Sequence, residues 1–174
     1  MALYEFEGKC PDIEPTTFVH PQAVIIGEVK LGPGCYVGAG AVLRGDWGDI
    51  VVGEGSNIQE NCVVHTKPGK SVSLGPSSHI GHGAILHGAT LGVHVLVGMG
   101  AILNDNVKVG DGSLIGAGSI LPQGMKVPPG KLVVGVPARI IGDLSEKLRK
   151  ANEWGTKLYQ GLPPRCHSSM RRLD

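Results

Sequence analysis

Aromatic residues are scarce in this chain. Two Phe, three Tyr and two Trp make up 4% of 174 residues, which argues for a thin interior with no room for rings. Charge of either sign is not in excess: 16 Lys and Arg face 15 Asp and Glu, for a net charge of +1. No clustered basic stripe is present, which argues against nucleic acid as a partner. No apolar run approaches the roughly 18 residues of a membrane span, and no signal-peptide pattern opens the chain, so no membrane association is expected. The four cysteines, Cys10, Cys35, Cys62 and Cys166, are scattered and form no CxxC. Reduced thiols in a cytoplasmic protein are the expectation.

Glycine and aliphatic residues are abundant, and they are phased. The chain has 28 Gly and is 41% hydrophobic. An aliphatic residue recurs every sixth position at Val19, Ile25, Leu31, Val37 and Leu43, then at Val52, Ile58 and Val64. It resumes at Leu74, Ile80 and Leu86, and then runs from Leu91 through Val97, Leu103, Val109, Ile115, Leu121 and Val127 to Val133. A period of six fits neither a helix at 3.6 nor an exposed strand at 2. It fits a prism in which one hexad forms each flat side and three hexads form a coil. Four positions after each aliphatic residue stands a small or slim one, such as Cys35, Ala41, Cys62, Ala84 or Ser113, as a narrow, densely packed interior requires. Glycine often follows the aliphatic residue directly (Gly32, Gly53, Gly98) and is read as marking repeated tight turning. Disorder is excluded, because disordered chains are poor in apolar residues.

The predicted fold is therefore an all-β solenoid, a parallel β-helix, in one domain. Residues 1–18 form a lead-in, 19–138 the β-helix, 143–160 a C-terminal α-helix and 161–174 a basic tail opened by Pro163 and Pro164. Asp143 or Ser145 offers the N-cap. Leu144, Leu148, Ala151 and Leu158 mark an apolar face expected to pack along the solenoid.

Register places the histidines. Leu43, Val64, Leu86 and Leu103 share one corner, so Arg44, His65 and His87, each one residue on, stack on successive coils about 4.8 Å apart. Two imidazoles on neighbouring rungs can reach one metal. His82 follows a different corner residue, Ile80, and is separated from His87 by most of a flat side. A second chain is then expected to supply His82, and a cyclic trimer would repeat that contact three times. His20, His79, His94 and His167 are read as ordinary histidines. Asn57, Gln59 and Glu60 lie one hexad before His65, and Arg44 and Asp46 one coil below it.

Three segments, RGD at Arg44 to Asp46, NIQxNCxxH at Asn57 to His65 and GHxxxxH at Gly81 to His87, resemble in order and spacing the γ-class carbonic anhydrase group of hexapeptide-repeat proteins. RGDWGDIVV, HIGHGAILHG and GTKLYQGLPPRC resemble more narrowly its PaaY/CaiE branch. The resemblance runs from Tyr4 to about Cys166. It implies a left-handed β-helix, a homotrimer, and a Zn2+ (alternatively Fe2+ or Co2+) bound by His65 and His87 of one subunit and His82 of the next. A metal-bound hydroxide would then hydrate CO2 to bicarbonate. Gln59 would orient the metal-bound water with Asn57 beside it, Arg44 and Asp46 would form an intersubunit ion pair, and Tyr159 would line the site. Two acids that the resemblance places nearby are missing: Trp47 stands for one, and the loop from Thr66 to Ser78 has none. Proton exit would fall to Glu60 or Tyr159. The alternative readings are a hexapeptide acyltransferase or acyl-CoA thioesterase of the same branch, and a non-catalytic metal-bound scaffold.

Overall fold

The computed structural model describes residues 1–174 as a parallel β-solenoid of about seven turns, a left-handed β-helix, closed by C-terminal helices. Every residue of the six-residue aliphatic series is buried, from Val19 at 8% exposure to Val133 at 0%. The small positions four residues on, including Cys35, Ala41, Cys62, Ala84 and Ser113, are buried between them. One continuous core of 32 side chains results. The corners stack as the register requires: Leu43 pairs with Val64, Val64 with Leu86, and Leu86 with Leu103.

The lead-in joins the solenoid. Ala2–Tyr4 and Asp12–Ile13 pair in parallel with Val24–Leu31, so coil pairing begins ahead of residue 19. At the other end Ala138–Asp143 folds back antiparallel on Lys131–Gly135 and ends the parallel stacking. A local excursion serves the site. Gly27 pairs with Gly45 but Val29 with Ile50, so surplus residues between Gly45 and Ile50 leave the ladder and carry Asp46 and Trp47 outward.

The glycines and the C-terminal segment differ from the sequence reading. The glycines that directly follow the aliphatic residues do not turn the chain. At Gly98 an added Cβ would lie 2.8 Å from Gly116 C and Ala117 Cα and closer still to Ala117 N, so glycine is needed there because the next coil approaches so nearly. The turning glycines sit two residues later, as at Gly100 with φ 67°, in the left-handed region that costs glycine least.

The C-terminal helix, α1 (Glu146–Gln160), is capped by Ser145, whose side chain accepts from the Leu148 N–H. It buries Asn152 and Thr156, while Leu148, Ala151 and Leu158 stay exposed within one chain and Leu144, just before the helix, is buried. The corner beneath α1 explains this reversal, since it presents polar groups. Asn152 Nδ2 donates to the His94 carbonyl, and Gln160 Nε2 to the Gly55 carbonyl and the Ser77 hydroxyl. The segment expected as a tail contains a second helix, α2 (Leu162–Ser169), with Pro at its first positions, where a missing N–H costs nothing. No helix is long and apolar enough to cross a membrane.

Candidate functional site

His65 and His87 are brought together by strand pairing. They are direct partners across Val63–His65 and Ile85–His87. His65 is buried at 6% exposure. Its Nδ1 lies 3.3 Å from His87 Nε2.

The remaining ring nitrogens settle the tautomers. His65 Nε2 lies 3.0 Å from Asp46 Oδ1, and His87 Nδ1 lies 2.8 Å from Asp105 Oδ1. Burial alone would raise the pKa of Asp46, but hydrogen bonds from Arg44 and His65 hold it below the usual carboxylate range. Asp105 is held low chiefly by its bond from Lys67, then by His87. Both acids are therefore ionised and only accept. With both rings neutral, the protons sit on His65 Nε2 and His87 Nδ1, and two lone pairs face each other across 3.3 Å. Burial lowers the pKa of His65, which disfavours a proton between the rings. A divalent cation fits: with metal–nitrogen bonds of about 2.0–2.1 Å and tetrahedral angles, the two nitrogens would stand about 3.3–3.4 Å apart.

Cations and an aromatic ring frame this pair. Arg44 Nη1 donates to Asp46 Oδ2 at 2.6 Å, and its Nη2 lies 3.4 Å from His65 Nδ1, competing for that lone pair. Lys67 Nζ reaches Asp105 Oδ2 at 2.6 Å. Trp47, largely exposed, lies beside His65 with ring centroids 5.3 Å apart and under the Arg44 guanidinium. Arg44 and Asp46 thus pair within one chain.

The other candidates gather elsewhere. His82 does not join His65 and His87, and within one chain no three His, Cys, Asp or Glu side chains converge on a common point. Instead His82 Nδ1 contacts Glu60 Oε2 at 2.6 Å, and Tyr36 donates its hydroxyl to Glu60 Oε1 at 3.0 Å. Burial, then Glu60, pushes the Tyr36 hydroxyl above its ordinary pKa. Gln59 is 2% exposed. Its Nε2 donates to Asn57 Oδ1 at 2.9 Å and contacts His79 Nε2 at 2.7 Å, while its Oε1 accepts from the His82 backbone N–H at 3.2 Å. Within one chain the Gln59 amide is thus flanked on both sides by Asn57, His79 and the His82 main chain. Tyr159 comes down from α1 with its ring 5.1 Å from His79 and 5.7 Å from Tyr36. These residues open a cavity of about 390 Å³ that runs from His82, Gln59 and Tyr159 over Leu96, Met99 and Leu114.

Sequence reasoning grouped Asn57, Gln59, Glu60 and Tyr159 with the metal. Within one chain they lie on the side of His82, itself one of the three expected ligands. It missed Tyr36, His79, Lys67 and Asp105. For His79 a signal existed, because the register stacks it directly on Asn57.

The bacterial transferase hexapeptide (six repeats) family matches residues 11–45. The carnitine operon protein CaiE of Escherichia coli is 42% identical over all 174 residues, which span 89% of that protein. A crystal structure of a "putative acetyltransferase" from Bacillus cereus superposes with a TM-score of 0.94 at 32% identity, covering 96% of this chain and 97% of that one. A hexapeptide transferase family protein from Anaplasma phagocytophilum gives a TM-score of 0.90 at 38% identity, covering 94% and 96%.

Proposed function

We propose, for a chain that belongs to the hexapeptide-repeat transferase family and is a homologue of CaiE, a metal-dependent enzyme that moves an acyl group from a thioester to water or another small acceptor. The site is completed between subunits of a homotrimer. One observation carries this reading: each of the three candidate ligands, His65, His82 and His87, is paired through one ring nitrogen with a carboxylate, namely Asp46, Glu60 and Asp105. Such pairing fixes the tautomer and raises the basicity of the nitrogen left free for a metal.

His65 and His87 would hold the cation from one subunit, and His82 from the next. The ion supplies Lewis acidity, which lowers the pKa of water to about 7. Asp46 and Asp105 each accept the hydrogen bond of the other ring nitrogen and so turn each lone pair toward the metal side. A cation held by His65 Nδ1 would displace Arg44 Nη2, 3.4 Å from that nitrogen, while Nη1 would keep its bond to Asp46. Hydrolysis forms a C–O bond at the thioester carbonyl and breaks the C–S bond. One proton of water leaves with the thiol. The other passes to Glu60, which lies between His82 and Tyr36. The acyl-group substrate is favoured by the transferase relatives.

Hydration of CO2 is the second reading. The all-histidine ligand set with one position open favours it, since catalytic zinc keeps three protein ligands and structural zinc four. One sample tests both. Protein purified without chelators should carry about one divalent metal per chain and sediment as three 18.1 kDa chains. It should hydrolyse a short acyl-CoA. His87→Ala should lose metal and activity while keeping its far-ultraviolet circular dichroism. Full metal loading of a monomer would end the shared-site reading. CO2 hydration without thioester hydrolysis would move the substrate to the second reading.

A further inference from the structure

The network around Gln59 has one member whose chemistry is fixed by the backbone. A backbone N–H only donates, and that of His82 points at the Gln59 side-chain oxygen at 3.2 Å. The orientation of the Gln59 amide is thereby set: its NH2 group must face the other way. There it meets Asn57 Oδ1 at 2.9 Å and His79 Nε2 at 2.7 Å. Both atoms are therefore acceptors, and a ring nitrogen that accepts carries no proton. His79 is neutral, with its proton on Nδ1. Burial favours the same state, holding the His79 pKa down at about 4.

The opposite arrangement fails at a named contact. A proton on His79 Nε2 would set donor against donor at 2.7 Å. Flipping the Gln59 amide to relieve it would turn an NH2 group toward the His82 backbone N–H. The imidazole cannot easily turn away, because the Tyr159 ring packs on it edge to face. His79 Nδ1 and Asn57 Nδ2 are left buried without partners. Unpaired buried donors are costly, and this orientation of the amide leaves two of them here.

We infer that His79 is a positioning residue: a neutral, tautomer-fixed histidine that locks the Gln59 amide and, through it, the main chain of His82. Gln59 then acts as a bracket between coils. The Asn57 side chain shares its other hydrogen, and α1 clamps the whole through Tyr159. The functional part of this inference rests on His82 serving the proposed site, whereas the hydrogen-bond part does not.

The experiment separates the two. In ¹⁵N spectra of the metal-loaded trimer at neutral pH, His79 should show an unprotonated Nε2 and a protonated Nδ1. The Gln59 side-chain amide hydrogens should exchange slowly. His79→Phe keeps the ring volume but removes the acceptor. It should release those hydrogens to fast exchange and lower kcat for thioester hydrolysis about tenfold or more, the scale set by outer-shell partners of metal ligands, with KM little changed. His79→Gln places an oxygen at similar reach and should restore slow exchange and most of kcat. A protonated Nε2, or Gln59 hydrogens equally protected in His79→Phe, would overturn the lock. Equal losses of kcat in the Phe and Gln variants, with melting temperatures unchanged, would overturn the positioning role. Absence of thioester hydrolysis in the unmodified protein would count against the proposed function, and the tautomer of His79 would still be decided by the spectra.

Discussion

Replacing Asp105 by Asn tests whether the His65–His87 pair is a metal site, because the change keeps the shape and removes only the charge. Asp105 Oδ1 accepts from His87 Nδ1 at 2.8 Å, and Oδ2 receives Lys67 at 2.6 Å. Asn can still accept the His87 proton through its own oxygen, so the ring stays where it is. The donor nitrogen opposite becomes less basic, and a full negative charge near the cation disappears. Loss of such a partner typically weakens metal affinity by about 10–100-fold, or roughly 1.4–2.7 kcal/mol. Stability should hardly change, because the bridge to the half-exposed Lys67 belongs to the class worth about 0–1 kcal/mol. The assay is a competition titration against a chromophoric chelator, with urea unfolding of the metal-free protein as control. Lys67→Ala is the counter-test: it removes a cation that competes for the same carboxylate, so affinity should hold or rise. Equal affinity in Asp105→Asn and the parent protein, within about threefold, would refute the argument that these carboxylates tune metal ligands.

Gly98→Ala should destabilise the solenoid by about 1–3 kcal/mol, the usual cost of overpacking, because its Cβ meets the backbone of the next coil. The urea midpoint should fall with the slope unchanged, and an unaltered midpoint would mean that the coils separate freely. A second test uses pH. The unfolded chain protonates His79 below about pH 6.5, whereas the folded chain resists until about 4. The unfolded state therefore binds more protons in that window, and this contribution to stability is lost as pH falls from about 6.5 toward 4. The drop in urea midpoint between about pH 7 and about pH 5 should be smaller in His79→Gln than in the parent protein, and identical drops would show that His79 does not titrate with unfolding.

The fold was legible because its rule is one-dimensional. Once an aliphatic residue recurs every six positions, parallel pairing of successive coils follows, and so does the stack of Leu43, Val64, Leu86 and Leu103. Glycine was misread because two physical demands share one residue. Absence of a Cβ permits left-handed turning at Gly100, but at Gly98 it permits close approach of coils, and composition cannot tell these apart. The helix misled for a related reason. A heptad-like pattern at Leu148, Ala151 and Leu158 says that something apolar is presented, not to what. The corner under α1 offers carbonyls of Gly55 and His94, which the side chains of Gln160 and Asn152 reach, and Asn152 is buried there instead of the leucines.

The candidate site was legible only along the stacking axis. His65 and His87 share a rung position, and their contact follows from counting residues. Asp105 lies one residue past the rung stacked on His87, where the chain leaves the strand, and nothing in the hexad pattern says which way a side chain turns there. The same limit separates the two clusters. Register puts Asn57 beneath His79, but the shared contacts of Gln59 with Asn57, His79 and the His82 backbone depend on rotamers and on one backbone donor. On the inference above, those contacts would make Gln59 a holder of the His82 main chain. If His82 serves a neighbour's site as proposed, they would also give it a main chain fixed by its own subunit before the neighbour arrives. Preorganisation of that kind reduces the entropy lost on assembly, so on the proposed trimer the bracket around Gln59 would serve the subunit contact as much as the chemistry.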